Sequence, residues 1–203
     1  MELYKAAKPA AALVLAHGAG AGQKSAWMVK AASAIAAQGI NCATFDFPYI
    51  TAGRKVPDRA PVLEDAWRAV LAEARALFGD LPLFIGGKSM GGRIASHIAA
   101  QGVEGVRGLI FFGYPLHPPG RSEQRRDAHL PTIAEPMLFI QGSHDTFGNE
   151  AEMTALIPTL QRADLHVIRG GDHSFKVKGG AKAQPPAFEE VIATACRWMS
   201  GVG

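Results

Sequence analysis

Ser89, Asp145 and His173 are the residues of this 203-residue chain whose types and settings point to chemistry. A serine hydroxyl is a weak nucleophile until a base takes its proton, and histidine suits that task near neutral pH. The imidazole needs an acceptor on its other nitrogen, to fix the tautomer and to stabilise the imidazolium, and a carboxylate supplies it. Ser89 stands in a G-x-S-x-G turn, within Gly86-Gly87-Lys88-Ser89-Met90-Gly91-Gly92. Leu83, Phe84 and Ile85 before it read as a strand; Ile94, Ala95, Ile98 and Ala99 after it recur at helical spacing. Strand, tight turn and helix are the context in which such a turn exposes its serine, and the chain order Ser…Asp…His is the order that goes with it.

For the three to meet, the chain must bring the ends of separate elements to one edge. Apolar runs at 12–16, 41–47, 83–85, 107–112, 136–141 and 165–168 read as strands. Helices are expected at 25–38, from Pro61 with Leu63, Trp67, Val70, Ala74 and Leu77 on its apolar face, after Ser89, at 149–160 with Asn149 as N-cap, and from Pro186. The last should bury Phe188, Val191, Ile192, Ala195, Trp198 and Met199. Strands that alternate with amphipathic helices, and that are apolar throughout, predict an α/β fold: about six mainly parallel strands, helices on both faces, no cap domain. The length suits one domain spanning residues 1–203. Ser89, Asp145 and His173 all follow predicted strands, so they share the C-terminal edge, where such sheets place their sites.

An acyl-transfer site also needs donors for a developing oxyanion. The backbone N–H of Met90, just after the serine, is one; Ala19, in the His17-Gly18-Ala19-Gly20 loop after the first predicted strand, is the second. Losing one such donor typically costs about 3–4 kcal/mol of transition-state stabilisation. His17, Tyr49, Tyr114 and His117 are expected to line the pocket, His17 also serving as a turn residue bonded to the backbone. Asp172 is a poor acid, because neighbouring side chains in a turn diverge. His97, His129 and His166 have no assigned role.

Other classes are excluded on spacing and composition. Gln23 stands where the third glycine of G-x-G-x-x-G belongs, and Pro82 where a P-loop has its first glycine. No metal-ligand spacing occurs, and no metal or organic cofactor is implied. Cys42 and Cys196 read as buried reduced thiols. A formal charge of +3 does not by itself imply nucleic acid, and no window holds the roughly 20 apolar residues of a membrane helix. The basic and apolar start, Lys5, Lys8 and the run to Ala16, imitates a leader only faintly, and a mature cytoplasmic protein is expected.

The segments HGAGAG, DFPY, GGKSMGGR, FFGYPLHPPG, QGSHDTFG and GDHSF together resemble the α/β-hydrolase superfamily over nearly the whole chain. They resemble its small, lidless group of dienelactone-hydrolase-like and testis-expressed protein 30/NSL-complex subunit 3-like proteins. The resemblance implies a Ser89–Asp145–His173 triad and an uncapped fold. It implies no substrate, and serine in place of cysteine as the nucleophile separates this chain from dienelactone hydrolase itself. The expected function is a serine hydrolase acting on esters or related acyl compounds through an acyl-enzyme. An acyltransferase or thioesterase with the same triad, and a catalytically weak scaffold, are the alternatives.

The loops over the predicted edge, 47–60, 113–131 and 169–185, hold ten basic residues (Arg54, Lys55, Arg59, Arg121, Arg125, Arg126, Arg169, Lys176, Lys178, Lys182) against Asp58, Glu123, Asp127 and Asp172. A one-sided field steers anions, which is compatible with a small anionic acyl substrate or an acidic partner, the plain alternative being a solvated basic rim.

Overall fold

The computed structural model describes residues 1–179 and 184–202. Among its inner strands is β2 (Ala11–Ala16), buried at every position. Ala12, Val14 and Ala16 face one core, while Ala11, Leu13 and Leu15 face the other. That two-residue alternation between two apolar layers is why the run is apolar throughout.

Among the described residues the sheet has seven strands rather than six. β1 (Glu2–Tyr4), β3 (Ile40–Phe45), β4 (Leu83–Lys88), β5 (Val106–Phe112), β6 (Met137–Gly142) and β7 (Ala163–Ile168) complete it, in the order β1-β3-β2-β4-β5-β6-β7. All neighbours pair in parallel except β1, which pairs antiparallel with β3.

α1 (Ala26–Ala37) and α6 (Gln184–Gly201) pack on the face of Leu13 and Leu15, where Cys42 and Cys196 lie buried as free thiols. α3 (Ala60–Phe78) and α4 (Met90–Ala100) pack on the other. The buried stripe of α3 is Leu63, Trp67, Leu71, Ala74 and Phe78. Leu77, expected inside, is 49% exposed; at 3.6 residues per turn the stripe passes to Leu71 and Phe78. On α6, Phe188 and Trp198 are half-buried rather than buried. α2 (Pro48–Thr51) is a short helix in a segment read as loop, and α5 (Glu150–Leu156) is closed at Asn149 by a capping box with Glu152. Among the described residues, no helix is long and apolar enough to cross a membrane.

Candidate active site

The turn between β4 and α4 sets the geometry. Ser89 has φ 51° and ψ −118°, a left-handed conformation that L residues rarely adopt and that costs about 1–3 kcal/mol where the surroundings hold it. They do hold it. The Ser89 N–H donates to Phe112 O on β5 (3.1 Å), and the Ser89 carbonyl accepts from Arg93 N–H (3.1 Å), the first bond of α4.

Close approach of α4 to β2 then requires glycine. A Cβ on Gly91 would sit 2.6 Å from both Ala16 O and His17 O, and these are backbone atoms that cannot swing aside. Gly91→Ala is therefore expected to destabilise the protein by about 1–3 kcal/mol or more, read as a fall of several degrees in Tm. An unchanged Tm would mean that the turn is looser than described.

Ser89, Asp145 and His173 meet above the sheet edge. Ser89 Oγ lies 2.8 Å from His173 Nε2, and His173 Nδ1 lies 2.7 Å from Asp145 Oδ2. An ionised carboxylate only accepts, so Nδ1 carries the proton and Nε2 is left to accept from the serine. The chain of bonds can thus move a proton from Oγ to Nε2 while Asp145 steadies the imidazolium. Asp145 is held on every side: its Oδ2 also accepts from Gln141 Nε2 (2.8 Å), and its Oδ1 accepts from Phe147 N–H (2.8 Å). The Phe147 ring packs 4.2 Å from the His173 ring, centroid to centroid. The loop carrying His173 is shaped by Asp172, whose Oδ1 accepts from the N–H groups of Ser174 and Lys176.

Lys88 was not singled out in the sequence, although it adjoins the serine. Its ammonium donates to the His173 carbonyl at 2.5 Å and so ties the histidine loop to β4. Burial pulls its pKa down to about 8, against the opposing pull of the Asp145 and Asp172 carboxylates. The unfolded chain keeps that proton up to the ordinary lysine value of 10.5. From about pH 8 to 10.5 this group is therefore protonated more in the unfolded state than in the folded one. Lys88 contributes a stability that rises with pH in that window, against the buried Cys42 and Cys196 thiols, whose raised pKa values pull the other way above the ordinary thiol value. Lys88→Met is expected to make the slope of Tm against pH less positive in a series of thermal melts; the same slope in both proteins would contradict the assignment.

Met90 and Ala19 border the same cavity as Ser89. The backbone N–H groups of both donate to no other group among the described residues. The cavity measures about 490 Å³, and its described lining includes Gly18, Pro57, Leu63, Pro115 and Phe147 beside Ser89 and His173.

Four residues expected on that wall stand behind it instead. His17 is fully buried; Phe47 N–H donates to its Nε2 (3.2 Å), so Nδ1–H donates to Gly18 O (2.8 Å), and burial lowers its pKa. Tyr49 accepts from Gly20 N–H through its hydroxyl (3.0 Å). Both brace the loop that presents Ala19. Tyr114 is buried and its hydroxyl donates to Arg126 O (2.8 Å). His117 is 5% exposed, between Pro118 O (2.8 Å) and Glu152 (2.9 Å). In each case a polar atom that could have faced a substrate is turned to satisfy buried or loop backbone.

Three other histidines have side-chain partners outside the cavity wall. His97 meets Glu64, His129 meets Ser96 and His166 meets Glu190.

A family model described as alpha/beta hydrolase domain matches residues 9–201. The chain belongs to the alpha/beta hydrolase family. Among solved structures, this alpha/beta hydrolase is similar to a dienelactone hydrolase from Anabaena variabilis, with 20% identity, 98% of this chain and 89% of that chain covered, and a TM-score of 0.77. It is also similar to a monoacylglycerol lipase from Paleococcus ferrophilus (16% identity, 100% of both chains, TM-score 0.74). A third is an alpha-beta serine hydrolase homologue from Coxiella burnetii (17% identity, 96% and 88%, TM-score 0.76). At these identities the likeness concerns the fold.

Proposed function

We propose that this alpha/beta hydrolase is a serine hydrolase that cleaves small carboxylic esters or related acyl compounds through an acyl-enzyme. The observation that carries the reading is the unbroken hydrogen-bonded line from Ser89 through His173 to Asp145, open to a cavity at its serine end. The volume of that cavity is that of a small-molecule site, and an esterase domain and a monoacylglycerol lipase among its structural neighbours support ester chemistry.

In this reading Ser89 Oγ attacks the carbonyl carbon as its proton passes to His173 Nε2. The oxygen that gains charge is received by the Met90 and Ala19 N–H groups. The tetrahedral species collapses, the C–O bond to the leaving alcohol breaks, and the alcohol takes the proton from Nε2. Water then attacks the acyl-serine, with His173 again taking a proton and returning it to Oγ.

Hydrolysis of p-nitrophenyl acetate and butyrate is the direct test. Saturable turnover above the buffer rate is expected, and the absence of turnover of either ester by folded protein would contradict the reading.

A further inference from the structure

The cavity beside Ser89 has an uneven lining. Three cationic side chains, Lys88, Arg93 and Arg126, border it, against one carboxylate, Asp58. Asp58 already pairs with Arg54 (2.7 Å), and Lys88 is committed to the His173 carbonyl. Arg93 and Arg126 remain.

Arg93 lies four residues beyond Ser89 on α4, about 6 Å along the helix axis. Its one side-chain hydrogen bond among the described residues runs from Nη1 to His97 Nε2 (3.3 Å). An arginine only donates, so Nε2 is the acceptor and His97 is neutral, its Nδ1–H donating to Glu64. Glu64 is shared further with Gln101 and Arg68. Arg93 therefore has an imidazole where a buried cation ordinarily has a carboxylate. Its Nε–H is sealed from solvent and meets no acceptor.

Arg126 contrasts with its neighbours. Arg54 is paired with Asp58, Arg125 with Asp127, and Arg169 with Glu150. The half-buried Arg126 side chain makes no hydrogen bond or ion pair among the described residues. Its backbone is nonetheless pinned on both sides: its N–H donates to Leu116 O (2.8 Å), and its carbonyl accepts from the buried Tyr114 hydroxyl (2.8 Å). The fixed backbone keeps the uncommitted guanidinium at the cavity, where it can pair with a ligand. Burial, and after it the nearby charge of Arg126, lowers the Arg93 pKa, against smaller opposing pulls from Tyr114 and Glu64.

We infer that Arg93 and Arg126 form an anion subsite within the cavity, and that the ester cleaved at Ser89 carries a carboxylate or another compact anionic group near its scissile bond. The inference rests on the serine hydrolase reading above and adds the charge of the substrate to it. A carboxylate offers paired acceptor oxygens to guanidinium donors, and charge-assisted bonds of this kind are the strong ones.

The test compares two matched pairs of esters. In one the anion lies in the acyl part: p-nitrophenyl hemiglutarate against p-nitrophenyl pentanoate. In the other it lies in the leaving group: the butyrate ester of 4-hydroxybenzoate against that of methyl 4-hydroxybenzoate. In at least one pair the anionic ester is expected to have a kcat/KM about 10- to 100-fold above its neutral partner. Arg126→Gln should abolish the ratio and Arg126→Lys restore part of it, whereas Arg125→Gln, at the neighbouring ion-paired arginine, should leave it as in the wild type. The pair that responds locates the anion. Ratios near one in both pairs, or ratios unmoved by Arg126→Gln, would overturn the inference while leaving the serine hydrolase reading intact. If no ester is cleaved, that reading fails instead, and the subsite is judged by titrating the protein with glutarate. Shifts of the Arg93 and Arg126 side-chain N–H signals in 1H–15N spectra would support it, and unmoved signals would overturn it.

Discussion

Ser89→Ala is expected to lower kcat for ester hydrolysis by roughly 10^4- to 10^6-fold, the loss that follows removal of a nucleophile from a set of residues acting as a unit. The fold should survive. The bonds that hold the turn run from the Ser89 backbone, to Phe112 O and from Arg93 N–H, and alanine keeps both. Alanine also carries the same Cβ at the same positive φ, so the strain of the turn is unchanged in kind. The two measurements belong together: steady-state hydrolysis and thermal unfolding on the same preparation. A variant that keeps its Tm and a tenth or more of its activity would mean that the nucleophile lies elsewhere.

Asp145→Asn should follow closely, with a fall of about 10^3- to 10^4-fold in kcat and an intact fold. The reason lies in who donates to whom. Both carboxylate oxygens accept: Oδ2 from His173 and Gln141, Oδ1 from Phe147 N–H. An asparagine has one oxygen and one NH2 to serve those three donors. With its NH2 toward His173, the ring must accept at Nδ1, and the proton then sits on Nε2, where it faces Ser89 and blocks proton transfer. With its NH2 toward Phe147, two donors face each other, and the imidazolium formed during the reaction still lacks a negative partner. The first orientation removes the base, and the second leaves it without the charge that stabilises its protonated form. Activity of Asp145→Asn within tenfold of the wild type would show that Asp145 only braces the loop.

Much of this arrangement was legible from residue types and spacing. Each of the three central residues follows an apolar run, so their convergence needed only a parallel sheet, and β2 to β7 supply it. What escaped notice did so for physical reasons. β1 is three residues long, too short for periodicity, and its pairing with β3 is a tertiary event. His17, Tyr49, Tyr114 and His117 were expected at the cavity because their loops follow strands. Whether a loop side chain faces a cavity or turns back to a partner within the protein depends on contacts 12 to 35 residues away, such as Tyr114 with Arg126 and His117 with Glu152. The reverse error befell Lys88 and Arg93. Lys88 ends β4 and Arg93 lies in the first turns of α4, and a basic residue so close to a turn looks solvated until the packing that buries it is in place. The basic loops were likewise counted as one field. The structure divides them into paired residues, such as Arg54 and Arg125, and the uncommitted Arg126, while Lys182 lies outside the described residues.

The central claim is that Ser89 is an activated nucleophile beside a working oxyanion site. Intact-mass analysis after incubation with a fluorophosphonate tests it most directly, because that reagent requires both the attacking oxygen and the donors that stabilise its adduct. The account predicts one adduct per chain, mapping to Ser89 and absent from Ser89→Ala. A folded wild-type protein that takes up no adduct, or an adduct that persists in the variant, would contradict it.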